Sequence, residues 1–177
     1  MIFYKRLGSN DIDEKGWKIN NREAVRAVIL HKNTFLLIHS NRGDYKFPGG
    51  GVERNESHTE ALLREIAEET GYTNCLVKEK IGVVIEERID EYEENAYFKM
   101  TSHYFICELV GEEKIDQQLD DYEYEQGFIP KWITIDDAIA ENEKIMDQFP
   151  KNRWVFRETF VLKELKILFG PTKLIVD

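Results

Sequence analysis

Two periods alternate along this chain. "AVRAVILH" (24–31) and "FLLIHS" (35–40) are almost continuously apolar runs with "KN" (Lys32 and Asn33) between them, the pattern of a hairpin of buried strands. "NRGDYKFPGGG" (41–51) then breaks the pattern with Gly43, Pro48 and three successive glycines. From 57 to 70 the apolar positions recur with helical spacing. Ser57 with Glu60 forms a capping box, and Gly71 stands where a left-handed glycine ends a helix. "CLVKEKIGVVIEERI" (75–89) is strand-like. Over 96–109 the alternation puts Ala96, Phe98, Met100, Tyr104 and Ile106 on one face and Lys99, Thr101 and His103 on the other.

The acidic stretch 112–126 reads as a loop or disordered excursion. "FIPKWITI" (128–135) reads as a strand whose Pro130 suits an edge, 135–146 as a helix capped by Asp136, and about 150–169 as a last helix stopped at Gly170-Pro171. Strands interleaved with at least three helices predict an α/β domain with a mixed sheet. The last helix is apolar over much of its circumference (Phe156, Phe160, Leu162, Leu165, Leu168), so it packs on its own domain or joins two subunits.

A length of 177 residues suits one domain. No segment reaches about 18 uninterrupted apolar residues, and "MIFYKRLGSND" lacks the apolar core of a signal peptide. Cys75 and Cys107 form no CxxC pair and read as reduced, buried residues, which predicts a cytoplasmic protein. The net charge of −10 disfavours broad binding to a nucleic-acid polymer or an anionic membrane. An anionic substrate would therefore need a cation between itself and this protein.

The helix at 57–70 concentrates negative charge further. At 100° per residue, Glu65, Glu68 and Glu69 fall within an arc of roughly 100°, while Leu62, Leu63, Ile66, Ala67 and Thr70 occupy a separate one. Like charges at i, i+4 near a helix C-terminus are locally unfavourable. A bound divalent ion with a preference for oxygen ligands reverses that sign. On the helix alone, a solvated acidic face with Arg64 paired to Glu60 and Glu68 explains the same residues.

The wider spacing separates the two readings. Gly50, Glu56, Arg64, Glu65, Ile66, Glu68, Glu69, Gly71 and Tyr72 resemble the box of the Nudix (MutT-like) hydrolases: Gly, five residues, Glu, seven residues, Arg-Glu, apolar, any, Glu-Glu, any, Gly, apolar. Only Tyr72, where the family prefers an aliphatic residue, departs. A chance match in one window is on the order of 10⁻⁹. The likeness extends to "KFPGG" and more loosely over 24–147; residues 1–20 and the last helix take no part.

The resemblance implies a Nudix-type α/β/α sandwich forming a single domain over 1–177, with its core at about 22–147. It implies hydrolysis of a nucleoside diphosphate linked to a moiety X, by water attack on phosphorus with Mg²⁺ (or Mn²⁺ as substitute). Nucleoside triphosphates, ADP-ribose and dinucleoside polyphosphates are the substrate classes. By the same likeness, Glu65, Glu68, Glu69 and the Gly49 carbonyl hold metal, Glu65 or Glu69 takes the proton, Arg64 orients a box glutamate, and Gly50 and Glu56 support the loop. A further ligand is expected before Trp132, with Glu125 the first candidate and Glu123 the second.

Arg42 and Lys46 are candidates for phosphate or base contact. Tyr97, Phe98, His103, Phe105 and Trp132 include candidates for base stacking, Phe98 first, although aromatic residues on strands usually belong to cores. His58 reads as a surface residue. Two other classes share such a scaffold: a nucleotide sensor without catalysis, and an isoprenoid-diphosphate isomerase, for which Cys75 and Cys107 are poorly placed. The protein is expected to be a monomer or homodimer.

Overall fold

The computed structural model describes residues 1–8, 16–150 and 152–169. Among them, seven strands form one mixed sheet: β1 (Phe3–Leu7), β2 (Lys18–His31), β3 (Thr34–His39), β4 (Tyr45–Lys46), β5 (Cys75–Ile89), β6 (Ala96–Leu109) and β7 (Ile129–Thr134). The order is β1-β5-β6-β2-β3-β4, with β7 on β3. β2 runs parallel to β6 in unbroken register from Lys18↔Ala96 to Ile29↔Cys107. β5 and β6 are antiparallel. The hairpin expected at 24–40 forms, turning through Lys32 at φ 54°, and β2 starts earlier than its apolar run because its polar half pairs with β6.

Strand alternation divides the apolar residues between two layers. Val28, Phe35, Leu37 and Tyr104 pack with Ala138, Ile139, Val161, Leu162 and Leu165 of helices α3 (Ile135–Gln148) and α4 (Arg153–Phe169). On the other face Val25, Ala27, Ile29, Leu36 and Cys107 pack with Ala61, Leu62 and Ile66 of α1 (His58–Thr70). Helices thus cover both faces of the sheet, the expected α/β/α arrangement. α4 packs into its own core; the stop at Gly170-Pro171 lies outside the described residues.

α1 begins and ends as its sequence predicts. Ser57 accepts from Glu60 N–H while Glu60 reaches back to Ser57, and Gly71 closes the helix at φ 80°. Two elements differ from expectation. The excursion 112–126 contains a helical turn, α2 (Asp121–Glu125), because Asp120 and Glu123 form a second capping box. α3 is capped by Thr134, whose hydroxyl accepts from Asp137 N–H, so Asp136 lies in the first turn and does not cap it. Among the described residues β7 borders β3 alone, which leaves Pro130 on a sheet edge, where its missing N–H costs no pairing.

The segment before α2 closes the end of α1. Ile115 N–H donates to Gly71 O and Gln118 N–H to Glu68 O, and the Gln117 side chain donates to Glu69 O. Helix carbonyls that lack partners within α1 are satisfied there, and α2 is brought alongside the acidic face. Tyr72, the departure from the box, is half-buried against the α1 layer with Lys114 Nζ 4.1 Å from its ring centroid.

Candidate active site

The glycine turn is held from three directions. Asn142 of α3 accepts from Tyr45 N–H (2.7 Å) and donates to Tyr45 O (2.9 Å). Glu158 of α4, fully buried and paired with Arg157, accepts from Phe47 N–H. Ala27 N–H donates to Pro48 O, Val25 N–H to Gly50 O, and Val52 N–H to Glu23 O, so residues 48–52 lie along β2 as a short added strand. Gly49 has φ 136°, and a Cβ there would lie 2.1 Å from Val25 O. Only glycine meets both requirements.

This framework presses the turn against α1. Gly49 N–H donates to Glu69 Oε2 at 2.7 Å, and Lys46 Nζ lies 2.6 Å from Glu69 Oε1. Glu69 is fully buried, and Lys46 is sandwiched between it and the Phe128 ring, 4.2 Å from the ring centroid. Arg64 spreads its guanidinium over Glu56 (2.9 and 3.0 Å), Glu65 (2.8 Å), Glu68 (3.0 Å) and the Gly51 carbonyl (3.0 Å). Its planar fork serves several acceptors at once. The bond to Arg64 holds Glu56 below the usual carboxylate range, and the bonds to Glu56 and Glu65 raise Arg64 above its ordinary value.

Glu65, Glu69 and Glu123 bring carboxylate oxygens within 4.8 Å of one another. Burial, reinforced by Glu69, raises the Glu65 pKa against the opposing pull of Arg64 and Arg26. Burial and the same Glu69 push Glu123 up to about 7. Three converging carboxylates, two with ionisation disfavoured, form a donor set suited to a hard divalent cation. The cluster opens into a cleft of about 420 Å³ lined by Arg22, Gly51, Arg64, Glu65, Glu68 and Glu123, among others.

The expected site residues do not all gather here. Gly49, Gly50, Glu56, Arg64, Glu65, Glu68, Glu69 and Lys46 are joined by the contacts above, and Gly50 packs so closely on Glu65 that a Cβ would meet its carboxylate at 2.4 Å. Of the two α2 candidates, Glu123 is in the cluster. Glu125 is exposed at the end of α2, with its backbone carbonyl accepting from Asn41 Nδ2. The capping box sets this choice, because it turns Glu123 back toward Asp120 and the α1 end. Arg42 is exposed and lines a different groove with Tyr122, Phe149 and Trp154.

The aromatic candidates scatter. Phe98 carries Arg88 over its ring at 4.5 Å, Tyr97 stacks on Trp17, and Trp132 meets His31. Two arginines escaped the sequence reading. Arg22 lines the cleft, its guanidinium beside Gly51, and Arg26 is buried with its field acting on Glu65. Their spacing on β2 was the available signal, since positions 22 and 26 share a strand face.

A family model for the NUDIX domain matches residues 20–154 of this chain. The chain belongs to the Nudix family and is a hydrolase of the pyrophosphohydrolase type. An RNA pyrophosphohydrolase from Nitratiruptor sp. is 32% identical over 126 residues, covering 62% of this chain and 77% of the relative. The mitochondrial Nudix hydrolase 12 of Arabidopsis thaliana is 27% identical over 137 residues, or 76% of this chain and 64% of that protein. A NUDIX hydrolase structure from Nitrosomonas europaea superposes with a TM-score of 0.54 at 24% identity, covering 80% of this chain and 90% of that one, and supports the fold. Among the described residues no helix is long and apolar enough to cross a membrane.

Proposed function

We propose that this chain is a Mg²⁺-dependent pyrophosphohydrolase that splits a nucleoside diphosphate linked to a moiety X by attack of water on phosphorus. The observation that carries the reading is the convergence of Glu65, Glu69 and Glu123, of which Glu65 and Glu123 line a polar cleft that also presents Arg22 and Arg64. The three carboxylates, with the Gly49 carbonyl and Glu68 at the margin, would hold the ion; Mn²⁺ suits the same oxygens. A divalent ion there supplies neutralisation of pyrophosphate charge and a lowered pKa for bound water.

The chain's own groups do the rest. Arg64 fixes Glu65 and Glu68 through hydrogen bonds and so acts on position, while Arg22 is placed to meet a phosphate oxygen. Both oxygens of Glu69 are engaged, by Lys46 and by Gly49 N–H, whereas Glu65 gives one oxygen to Arg64. Glu65 is therefore the better placed to accept the proton of the attacking water.

The test is turnover of a panel containing nucleoside triphosphates, ADP-ribose, dinucleoside polyphosphates and 5′-triphosphorylated RNA, with Mg²⁺, Mn²⁺ or chelator. Cleavage of at least one phosphoanhydride that stops in chelator and in Glu65→Gln is expected. Undiminished turnover in Glu65→Gln and Glu69→Gln would remove the mechanism. The RNA arm separates the small-nucleotide reading, which the net charge of −10 favours, from a polymer substrate.

A further inference from the structure

A second cluster lies on the face of β2 opposite Arg22, beneath the first turn of α1. Glu23 comes from β2, His103 from the adjoining β6 and His58 from the start of α1. One donor atom from each lies within 4.8 Å of the other two. His58 Nε2 is 2.7 Å from Glu23 Oε2, His103 Nε2 is 3.8 Å from the same oxygen, and the imidazole centroids are 4.4 Å apart.

The Glu23–His58 pair explains two of these groups but not the third. His103 is only 7% exposed, and among the described residues neither of its ring nitrogens has a hydrogen-bond partner. Leaving such a buried polar group without a partner is unfavourable. Its Nε2 is turned toward the Glu23–His58 pair yet stands too far from it to bond. Burial, with Lys80 and His58 nearby, pushes the His103 pKa down to about 4, so the imidazole is neutral with a lone pair to offer.

We propose that Glu23, His58 and His103 form a transition-metal site that takes Zn²⁺ in preference to Mg²⁺ and is separate from the glutamate cluster. Two imidazoles and one carboxylate are a zinc donor set, whereas Mg²⁺ favours oxygen alone. Bonds of about 2.0–2.1 Å at tetrahedral angles place donors roughly 3.3–3.5 Å apart. The two separations from Glu23, 2.7 and 3.8 Å, bracket that spacing, and the third lies within 4.8 Å. Three protein ligands leave a fourth position for water. The site would fasten the N-terminus of α1, the helix that carries Glu65 and Glu69, to β2 and β6.

The full chain, stripped with chelator, is titrated with Co²⁺ as a spectroscopic stand-in and with Zn²⁺, both under excess Mg²⁺. One Co²⁺ per chain with an intense four-coordinate absorption is expected, displaced by Zn²⁺. His103→Asn and, separately, His58→Gln should weaken binding at least about tenfold. His58 is partly exposed on the first helical turn, so that variant should fold even where the buried His103 change does not, which circular dichroism checks. A Glu65→Gln, Glu69→Gln double variant should keep the absorption. No uptake beyond what Mg²⁺ displaces, unchanged binding in His58→Gln, or loss of the absorption in the glutamate variant would each overturn the proposal. None of these readouts depends on pyrophosphohydrolase turnover.

Discussion

Lys46 and Glu69 set the balance of charge in the acidic cluster. A fully buried carboxylate is tolerated here because an ammonium 2.6 Å away and a backbone N–H at 2.7 Å meet both its oxygens. Lys46→Met removes the cation and leaves Glu69 charged and buried, which should destabilise the metal-free protein by about 3 kcal/mol. Added Mg²⁺ should restore much of that loss, because it supplies the missing positive charge. Denaturant melts of both proteins, with and without Mg²⁺, measure the difference; equal losses in the two conditions would show that Glu69 does not face the ion. Arg64→Lys tests a different property. A lysine keeps the charge but cannot span Glu56, Glu65, Glu68 and Gly51 together, so kcat should fall on the order of tenfold or more with little change in KM.

Elements decide which of these residues meet. The turn at 48–52 and α1 come together because the turn pairs with β2 while α1 packs on the same strand through Leu62 and Ile66. Gly49→Ala forces a Cβ to within 2.1 Å of Val25 O at a φ unfavourable to any side chain. The turn should pull away from β2, with a stability loss of roughly 2 kcal/mol or more and near-complete loss of activity, read by thermal melts and turnover of the same preparation. The glycines, the capping box and the glutamate spacing of α1 were legible because each is a local rule within a few residues. The choice between Glu123 and Glu125 was not. It depends on Asp120 capping a single turn inside a run of acids, where any of several residues fits the sequence equally well. Arg22 and the juxtaposition of Glu23 with His103 depend on strand register, which composition does not reveal.

At the scale of the whole molecule, the two faces of the sheet support an acidic cleft, and under the proposed function its protonation would link folding to metal binding. Burial and Glu69 raise the pKa of Glu123 to about 7, and Glu65 is raised as well, while an unfolded glutamate titrates near 4.5. Between those values the folded, metal-free protein holds more protons than the unfolded chain. Its stability from these groups is therefore greatest at low pH and declines as pH rises through about 7. A divalent ion reverses the preference, since it binds the carboxylates only after their protons leave. The rise in Tm on adding Mg²⁺ should accordingly be larger at pH 8 than at pH 6, and Glu123→Gln should flatten that dependence while raising the metal-free Tm at pH 8. Scanning calorimetry at the two pH values, with chelator and with Mg²⁺, gives both differences. An equal Mg²⁺ effect at pH 6 and pH 8 would place the ion away from Glu65 and Glu123, because binding to carboxylates whose pKa is raised must compete with their protons.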